Sequence, residues 1–260
     1  MREHVPRKRF GQHFLIDARV VDEILSCLSL RGDDLVVEVG PGLGALTGPL
    51  LRSVEHLHVV EIDRDIVARL RQRYAADRLT IHAGDALLFD FRRVAGDAVR
   101  ALRIVGNLPY NISTPLLFHL LDSAECIRDM HFMLQREVVD RMVADPATRD
   151  YGRLSVMLQR HFVIERVLDV PPEAFSPRPK VHSAVVRLLP RGLERESATD
   201  GERFAIVVRA AFAQRRKTLR NSLGGLIDEH RLASLGISPT CRAEELSVED
   251  YVRLARDSAR

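Results

Sequence analysis

Leu35-Val36-Val37-Glu38-Val39-Gly40-Pro41-Gly42-Leu43-Gly44 decides the fold. The first five residues form a short β-branched run, the composition of a strand buried on both faces. Glycines at positions 40, 42 and 44 then break the strand and let backbone approach a ligand closely. A helical pattern follows from Leu46 to Leu51, so the stretch reads as strand, glycine loop, helix. A phosphate loop would need a Lys after its last glycine, and none follows here. The dinucleotide fingerprint G-x-G-x-x-G is also missed, because the third glycine comes one residue early.

The pattern repeats downstream. Strands are expected at 57–62, 79–81, 102–105 and 130–134, with helices at 64–74, 113–121 and from Arg136 onward. Upstream, apolar residues at helical spacing between Asp17 and Leu28 predict a helix with Asp17 as its N-cap. Alternation over about 150 residues implies an α/β fold with a parallel sheet and a ligand at the carboxyl ends of the strands. Residues 161–170 and 182–189 read as two late strands, an antiparallel hairpin joined by the proline-rich stretch 171–179. Residues 190–201 form a polar linker. Helical patterns then cover 202–212, 219–227 and 248–254. The expected organisation is a sheet domain over 1–190 and a small α-helical domain over 191–260.

Composition supports an ordinary folded chain: 260 residues, 46% hydrophobic and 29% charged. No run of 18 apolar residues is present to span a bilayer, and no apolar segment follows the basic N-terminus as in a signal peptide. Three scattered cysteines, Cys27, Cys126 and Cys241, fit a reducing cytoplasm better than a disulfide framework. The ten histidines show no metal-ligand grouping; His56 and His58 read as surface or edge residues. The net charge is only +3, but it is segregated. Residues 1–9 carry a net +3, residues 10–173 a net −5, residues 174–220 a net +7 and residues 221–260 a net −2. An acidic body with a basic arm and a basic late segment points to a polyanionic partner.

Acidic residues close the strands. Glu38 sits near the end of the first, a placement that, with the glycine spacing, fits the loop of S-adenosylmethionine (SAM) methyltransferases. Glu61 ends the second strand, where a carboxylate can accept both hydroxyls of a ribose. Asp85 follows the third, where an acid can accept from an adenine amine. Asn107-Leu108-Pro109-Tyr110 follows the fourth and is the most specific motif. An adenine N6 amine is a poor nucleophile because its lone pair is delocalised into the ring. The Asn107 side-chain oxygen and the Leu108 carbonyl could accept its two N–H groups and localise that pair. Pro109 fixes the loop without adding an N–H, and Tyr110 offers a stacking face.

With these motifs the chain resembles the ribosomal RNA adenine N6,N6-dimethyltransferases. Gly11-Gln12-His13-Phe14-Leu15 and Phe175-Ser176-Pro177-Arg178-Pro179-Lys180-Val181 are similar to further blocks of that family. The segments from Phe212 to Leu223 and from Arg242 to Ser247 resemble its small-subunit members more than the related large-subunit, antibiotic-resistance methylases, which remain the alternative reading. The resemblance implies a Rossmann-like SAM-dependent sheet with a C-terminal helical domain. It implies that His13, Leu15, Gly40, Glu61, Asp85 and Asn107 bind SAM. His13 stands where the family more often has Asn. It further implies that Tyr110 and Phe175 sandwich a flipped adenine beside Asn107 and Leu108. The implied substrate is two adjacent adenosines in a hairpin loop near the 3′ end of small-subunit ribosomal RNA, within the immature small ribosomal subunit. A monomeric, cytoplasmic enzyme without a metal is expected.

Methyl transfer from a sulfonium is an in-line displacement, so orientation and amine polarisation are what the protein must supply. Unstacking the target costs a few kcal/mol, and stacking on aromatic side chains returns about 1–3 kcal/mol per base. The basic segment then serves RNA phosphates: Arg178 and Lys180 beside Phe175, and Arg209, Arg215, Arg216, Lys217 and Arg220 in the helical domain. On one continuous helix, positions 209, 216 and 220 would share a face. Helix capping, or pairing with Glu244 and Glu245, is the alternative use of these cations. A nicotinamide oxidoreductase would share the fold class but has no use for the segment Asn107 to Tyr110. A role in subunit assembly in addition to catalysis is compatible with the same features.

Overall fold

A computed structural model of the chain describes residues 13–109, 112–192, 198–214 and 216–257. In chain order the elements are β1 (Phe14–Leu15), α1 (Ala18–Leu28), β2 (Leu35–Val39), α2 (Thr47–Ser53), β3 (Leu57–Glu61), α3 (Arg64–Arg73), β4 (Leu79–Ala83) and α4 (Arg92–Ala95). There follow β5 (Leu102–Asn107), α5 (Ser113–Leu121), β6 (Ile127–Gln135), α6 (Arg136–Val143), α7 (Arg153–His161), β7 (Phe162–Val170), β8 (Phe175–Ser176) and β9 (Ser183–Pro190). The remaining helices are α8 (Ala198–Ala211), α9 (Leu219–Leu223), α10 (Glu229–Ser234) and α11 (Val248–Asp257).

Seven strands form one sheet in the order β4-β3-β2-β5-β6-β9-β7. Strands β2 to β6 pair in parallel, and β9 runs antiparallel to β6 with Met130 opposite Leu188 and Gln135 opposite Ser183. The late strands lie side by side: the Arg191 N–H bonds the His161 carbonyl at 2.8 Å and Arg187 faces Glu165 at 3.8 Å, so they run in opposite directions. The chain leaves β4 at one edge and crosses back to β5, which makes the β2/β5 junction the topological switch point. Burial explains the unbroken apolar runs: Val36, Val37 and Val39 on β2 and Ile104 and Val105 on β5 are all buried. Asp17 caps α1 by accepting the Arg19 N–H at 2.9 Å. Val20, Val21, Ile24 and Leu28 on α1 join Leu50, Leu57, Ile66 and Leu70 in one core cluster.

A second, two-stranded sheet pairs β1 with β8 antiparallel, Phe14 opposite Ser176 and Leu15 opposite Phe175. Strands this short carry no periodicity, so sequence patterning gives no sign of them. Helix α7, a second helix in the stretch expected to be helical from Arg136 onward, buries Leu154, Ser155, Val156, Met157 and Leu158 and exposes Arg153.

The chain divides into two compact units, Met1–Val139 with Ile164–Pro190, and Asp140–Val163 with Arg191–Arg260. One break falls at 190/191, where the sequence division lies. The segment Asp140–Val163, grouped in sequence with the sheet domain, instead belongs to the second unit. There Arg160 stacks over the Phe204 ring at 4.0 Å and Gln159 donates to the carbonyls of Met142 and Ala144.

At the amino ends of the strands a charged cluster is sealed inside. Arg103 donates twice to Asp129, at 3.0 and 2.9 Å, and also to Asp34 at 2.7 Å and to the Leu28 carbonyl at 2.6 Å. All three charged side chains are about 5% exposed. His58, expected on the surface or at an edge, is half-buried. Its Nδ1 lies 3.1 Å from Nε2 of His82 with the rings stacked, and burial together with the neighbouring His56 and His82 pushes its pKa down to about 4. Removing one partner of a buried ion pair strands the other charge. Asp129→Ala is therefore expected to destabilise the fold by about 3–5 kcal/mol, read as a fall in the urea midpoint.

Candidate functional site

The carboxyl ends of β2, β3, β4 and β5 open into a cavity of about 320 Å³ at the switch point. Its walls include His13, Leu15, Gly40, Glu61, Asp85 and Asn107, so the residues assigned to the cofactor from the resemblance line one space, and Leu108, assigned to the target amine, lines it too. Glu38, Gly42, Ile62 and Pro109 join them.

The first turn is possible because Gly40 has φ +66, a backbone state that side chains with a Cβ rarely take. Its N–H bonds the Val60 carbonyl at 3.0 Å, tying the loop to the next strand. Gly106 carries a stricter demand. A Cβ there would sit 2.5 Å from the Val39 carbonyl oxygen, so only hydrogen fits between β2 and β5 at this point. The sequence offered no reason to single out Gly106; the constraint is a contact between segments 67 residues apart.

Glu61 is 5% exposed. It accepts the Asp63 N–H at 2.8 Å. Burial, with the nearby Asp63 charge, raises its pKa, and the backbone N–H dipoles of Asp63, Gly42 and Ile62 pull it part of the way back. Asp63 caps α3 in turn by accepting the Asp65 N–H at 2.9 Å. Asp85 is half-buried and accepts the Leu87 N–H at 2.9 Å, which fixes its carboxyl at the end of β4.

Asn107 ends β5, and its Nδ2 donates to the His13 backbone carbonyl at 3.1 Å. A carbonyl can only accept, so this bond determines which end of the amide is nitrogen and leaves Oδ1 as the acceptor end. The clasp comes from the N-terminal segment, held by the β1–β8 pairing and by the His13 Nδ1 to Pro177 carbonyl contact at 2.7 Å. Because His13 serves Asn107 through its backbone, the change from the family's usual Asn leaves that contact intact. Leu108 is buried, with its N–H on the Met133 carbonyl at 3.2 Å, and anchors the loop.

Two assigned positions stand apart. Phe175, expected to present a stacking face, is only 4% exposed and packs in the core with Leu15 and Val20; it is not among the cavity walls. Pairing of its backbone with Leu15 turns the ring inward. Tyr110 lies outside the described residues, as does Arg215. The basic residues Arg178, Lys180, Arg209, Arg216, Lys217 and Arg220 are all exposed. Arg178 contacts Glu173, and Arg220 lies 3.7 Å from Glu229 rather than meeting Glu244 or Glu245. Positions 209, 216 and 220 do not share one helix, because α8 stops at Ala211 and α9 begins at Leu219. The break has a cause: the N–H groups of Leu219 and Arg220 bond the carbonyls of Cys241 and Pro239, so they cannot continue an i→i−4 ladder.

A switch-point cavity with this glycine spacing, the Glu61 carboxylate and the Asn107-Leu108-Pro109 segment at the end of β5 is that of a SAM-dependent methyltransferase. The residues fit that cofactor: Glu61 suits a ribose diol, Gly40 permits close approach, and Asp85 suits an exocyclic amine. The chain belongs to the ribosomal RNA adenine dimethylase family, which it matches over residues 3–259. It is 62% identical over 248 residues to "Ribosomal RNA small subunit methyltransferase A" of Thiobacillus denitrificans, covering 95% of this chain and 96% of that one. Among solved structures it is similar to a dimethyladenosine transferase from Plasmodium falciparum, with TM-score 0.76 and 24% identity over 93% of this chain and 96% of that one. It is also similar to the 23S rRNA methyltransferase ErmE, with TM-score 0.71 and 26% identity over 95% and 100%.

Gly106→Ala forces β2 and β5 apart where the cofactor loop begins. SAM affinity is expected to fall at least about tenfold, the equivalent of 1.4 kcal/mol, in a calorimetric titration, with a lowered melting temperature.

Proposed function

We propose that this chain transfers methyl groups from SAM to N6 of two adjacent adenosines in a hairpin loop near the 3′ end of small-subunit ribosomal RNA. One observation carries the reading: Asn107, oriented by the His13 carbonyl, ends β5 in the same cavity as Glu61 and Asp85. SAM supplies a methyl group already activated on a sulfonium. The chain's own residues bind, orient and polarise. Asn107 Oδ1 accepts one N–H of the target amine and the Leu108 carbonyl accepts the other. The lone pair is thereby localised on nitrogen, and the amine proton passes to solvent once the N–C bond has formed. With Phe175 in the core, stacking of the unstacked base falls to Tyr110.

The small-subunit substrate is favoured over the large-subunit alternative by identities of 54–62% to chains named as small-subunit methyltransferases, against 26% for the large-subunit enzyme. Arg178, Lys180, Arg209, Arg215, Arg216, Lys217 and Arg220 contact RNA phosphates in this reading. The enzyme works as a monomer in the cytoplasm on the immature small subunit, where methylation can accompany a role in its assembly.

Labelled SAM incubated with purified unmethylated small and large subunits tests the assignment; label is expected in the small subunit alone, as N6,N6-dimethyladenosine. Asn107→Ala is expected to bind subunits still and to lose methyl transfer by at least about a hundredfold at saturating SAM; full transfer by this variant would refute the role of Asn107.

Replacing Arg215, Arg216 and Lys217 together with Ala is expected to weaken RNA binding and to flatten the plot of log affinity against log salt by about 2–3 units of slope. An unchanged slope would remove these residues from the interface.

A further inference from the structure

Glu38 lines the cavity and has no part in the reaction described above. It is 1% exposed on β2 and accepts a hydrogen bond from Thr47 Oγ1 on α2 at 2.6 Å. It shares the cavity with Glu61, and the backbone treats the two carboxyls differently. Glu61 accepts the Asp63 backbone N–H and lies near the N–H dipoles of Gly42 and Ile62, whereas the more deeply buried Glu38 accepts from one hydroxyl. A negative charge is therefore held more easily on Glu61. Burial, with the Glu61 charge adding to it, pushes Glu38 up to about 8. The other titratable groups around it are Asp85 and His13 in the cavity wall and Tyr74 after α3, whose hydroxyl feels the Glu38 carboxyl and has Arg73 and Arg52 nearby. Among the described residues no cationic side chain pairs with Glu38.

The two forms of the cofactor differ by one charge. SAM has a sulfonium and carries a net +1, whereas the product S-adenosylhomocysteine has a neutral thioether. A buried carboxyl in a cavity that already holds a carboxylate keeps its proton until a cation enters.

We propose that Glu38 discriminates donor from product by exchanging a proton: it ionises when the sulfonium is bound and is protonated again once the methyl group has left. The balance closes. One proton is released to solvent as SAM binds the protonated carboxyl. During transfer the amine loses one proton and Glu38 gains one, exchanged through solvent, so the occupied cavity stays uncharged relative to its starting state. Below the pKa of Glu38 a SAM molecule must displace this proton to bind, and above it none is displaced. The preference for SAM over product therefore rises with pH up to about 8 and is flat beyond.

The test is calorimetric titration of the full chain with SAM and, separately, with S-adenosylhomocysteine, in buffers of different ionisation enthalpy. At pH 7 release of close to one proton is expected with SAM and none with the product. The affinity ratio is expected to rise about tenfold per pH unit between pH 6 and 8. Glu38→Gln is expected to bind the product still, to release no proton with SAM and to show a pH-independent ratio. Thr47→Val keeps the carboxyl but removes its donor, so the rise in the ratio should extend to higher pH; this variant carries the test if Glu38→Gln fails to fold. An infrared band of a protonated carboxyl should disappear on adding SAM, persist with product and be absent from Glu38→Gln. A buffer-independent SAM enthalpy, or a Glu38→Gln protein with the same pH-dependent ratio, would overturn the proposal.

Discussion

Only a hydrogen atom fits between the Gly106 Cα and the Val39 carbonyl. That contact sets how closely the ends of β2 and β5 approach, and the functional geometry follows from it. Asn107 comes next on β5 and Gly40 directly follows β2, so the end of β5 and the glycine turn are brought together at the switch point. Any side chain at 106 would separate them, and Gly40 could not compensate, since its positive φ already fixes the course of the loop.

The sheet separates its charges between its two ends. At the amino ends Arg103 is matched against Asp34 and Asp129 within hydrogen-bond distance, so the cluster is satisfied by the protein itself. At the carboxyl ends Glu38, Glu61 and Asp85 face a common cavity, and among the described residues no cation neutralises them. A buried pair of carboxyls without a cation is costly unless it carries a proton or receives a positive ligand. That asymmetry makes one end of the sheet structural and the other receptive to a cationic cofactor.

Local sequence was informative where chemistry follows a strand end. Glu61, Asp85 and Asn107 were legible because strand, turn and helix signals placed each at the same edge of a parallel sheet, and Gly40 because alternating glycines have few other uses. The burial of Phe175 was not legible, because its stacking role was implied by family resemblance alone, and the pairing of its backbone with Leu15 is a long-range contact. The shared helix face for Arg209, Arg216 and Arg220 failed for a similar reason: backbone donors at 219 and 220 are taken by the segment around Pro239 and Cys241.

By itself the sequence determined the α/β class and the succession of the main parallel strands, which depend on local periodicity, and its motifs carried the resemblance to the family. The tertiary structure alone decided the β1–β8 clasp, the orientation of the Asn107 amide through the His13 carbonyl, the need for glycine at 106, and the assignment of 140–163 to the second unit. Each of these is a contact between segments distant in the chain, often through backbone atoms that every residue type shares, and such contacts leave no mark on local composition or spacing.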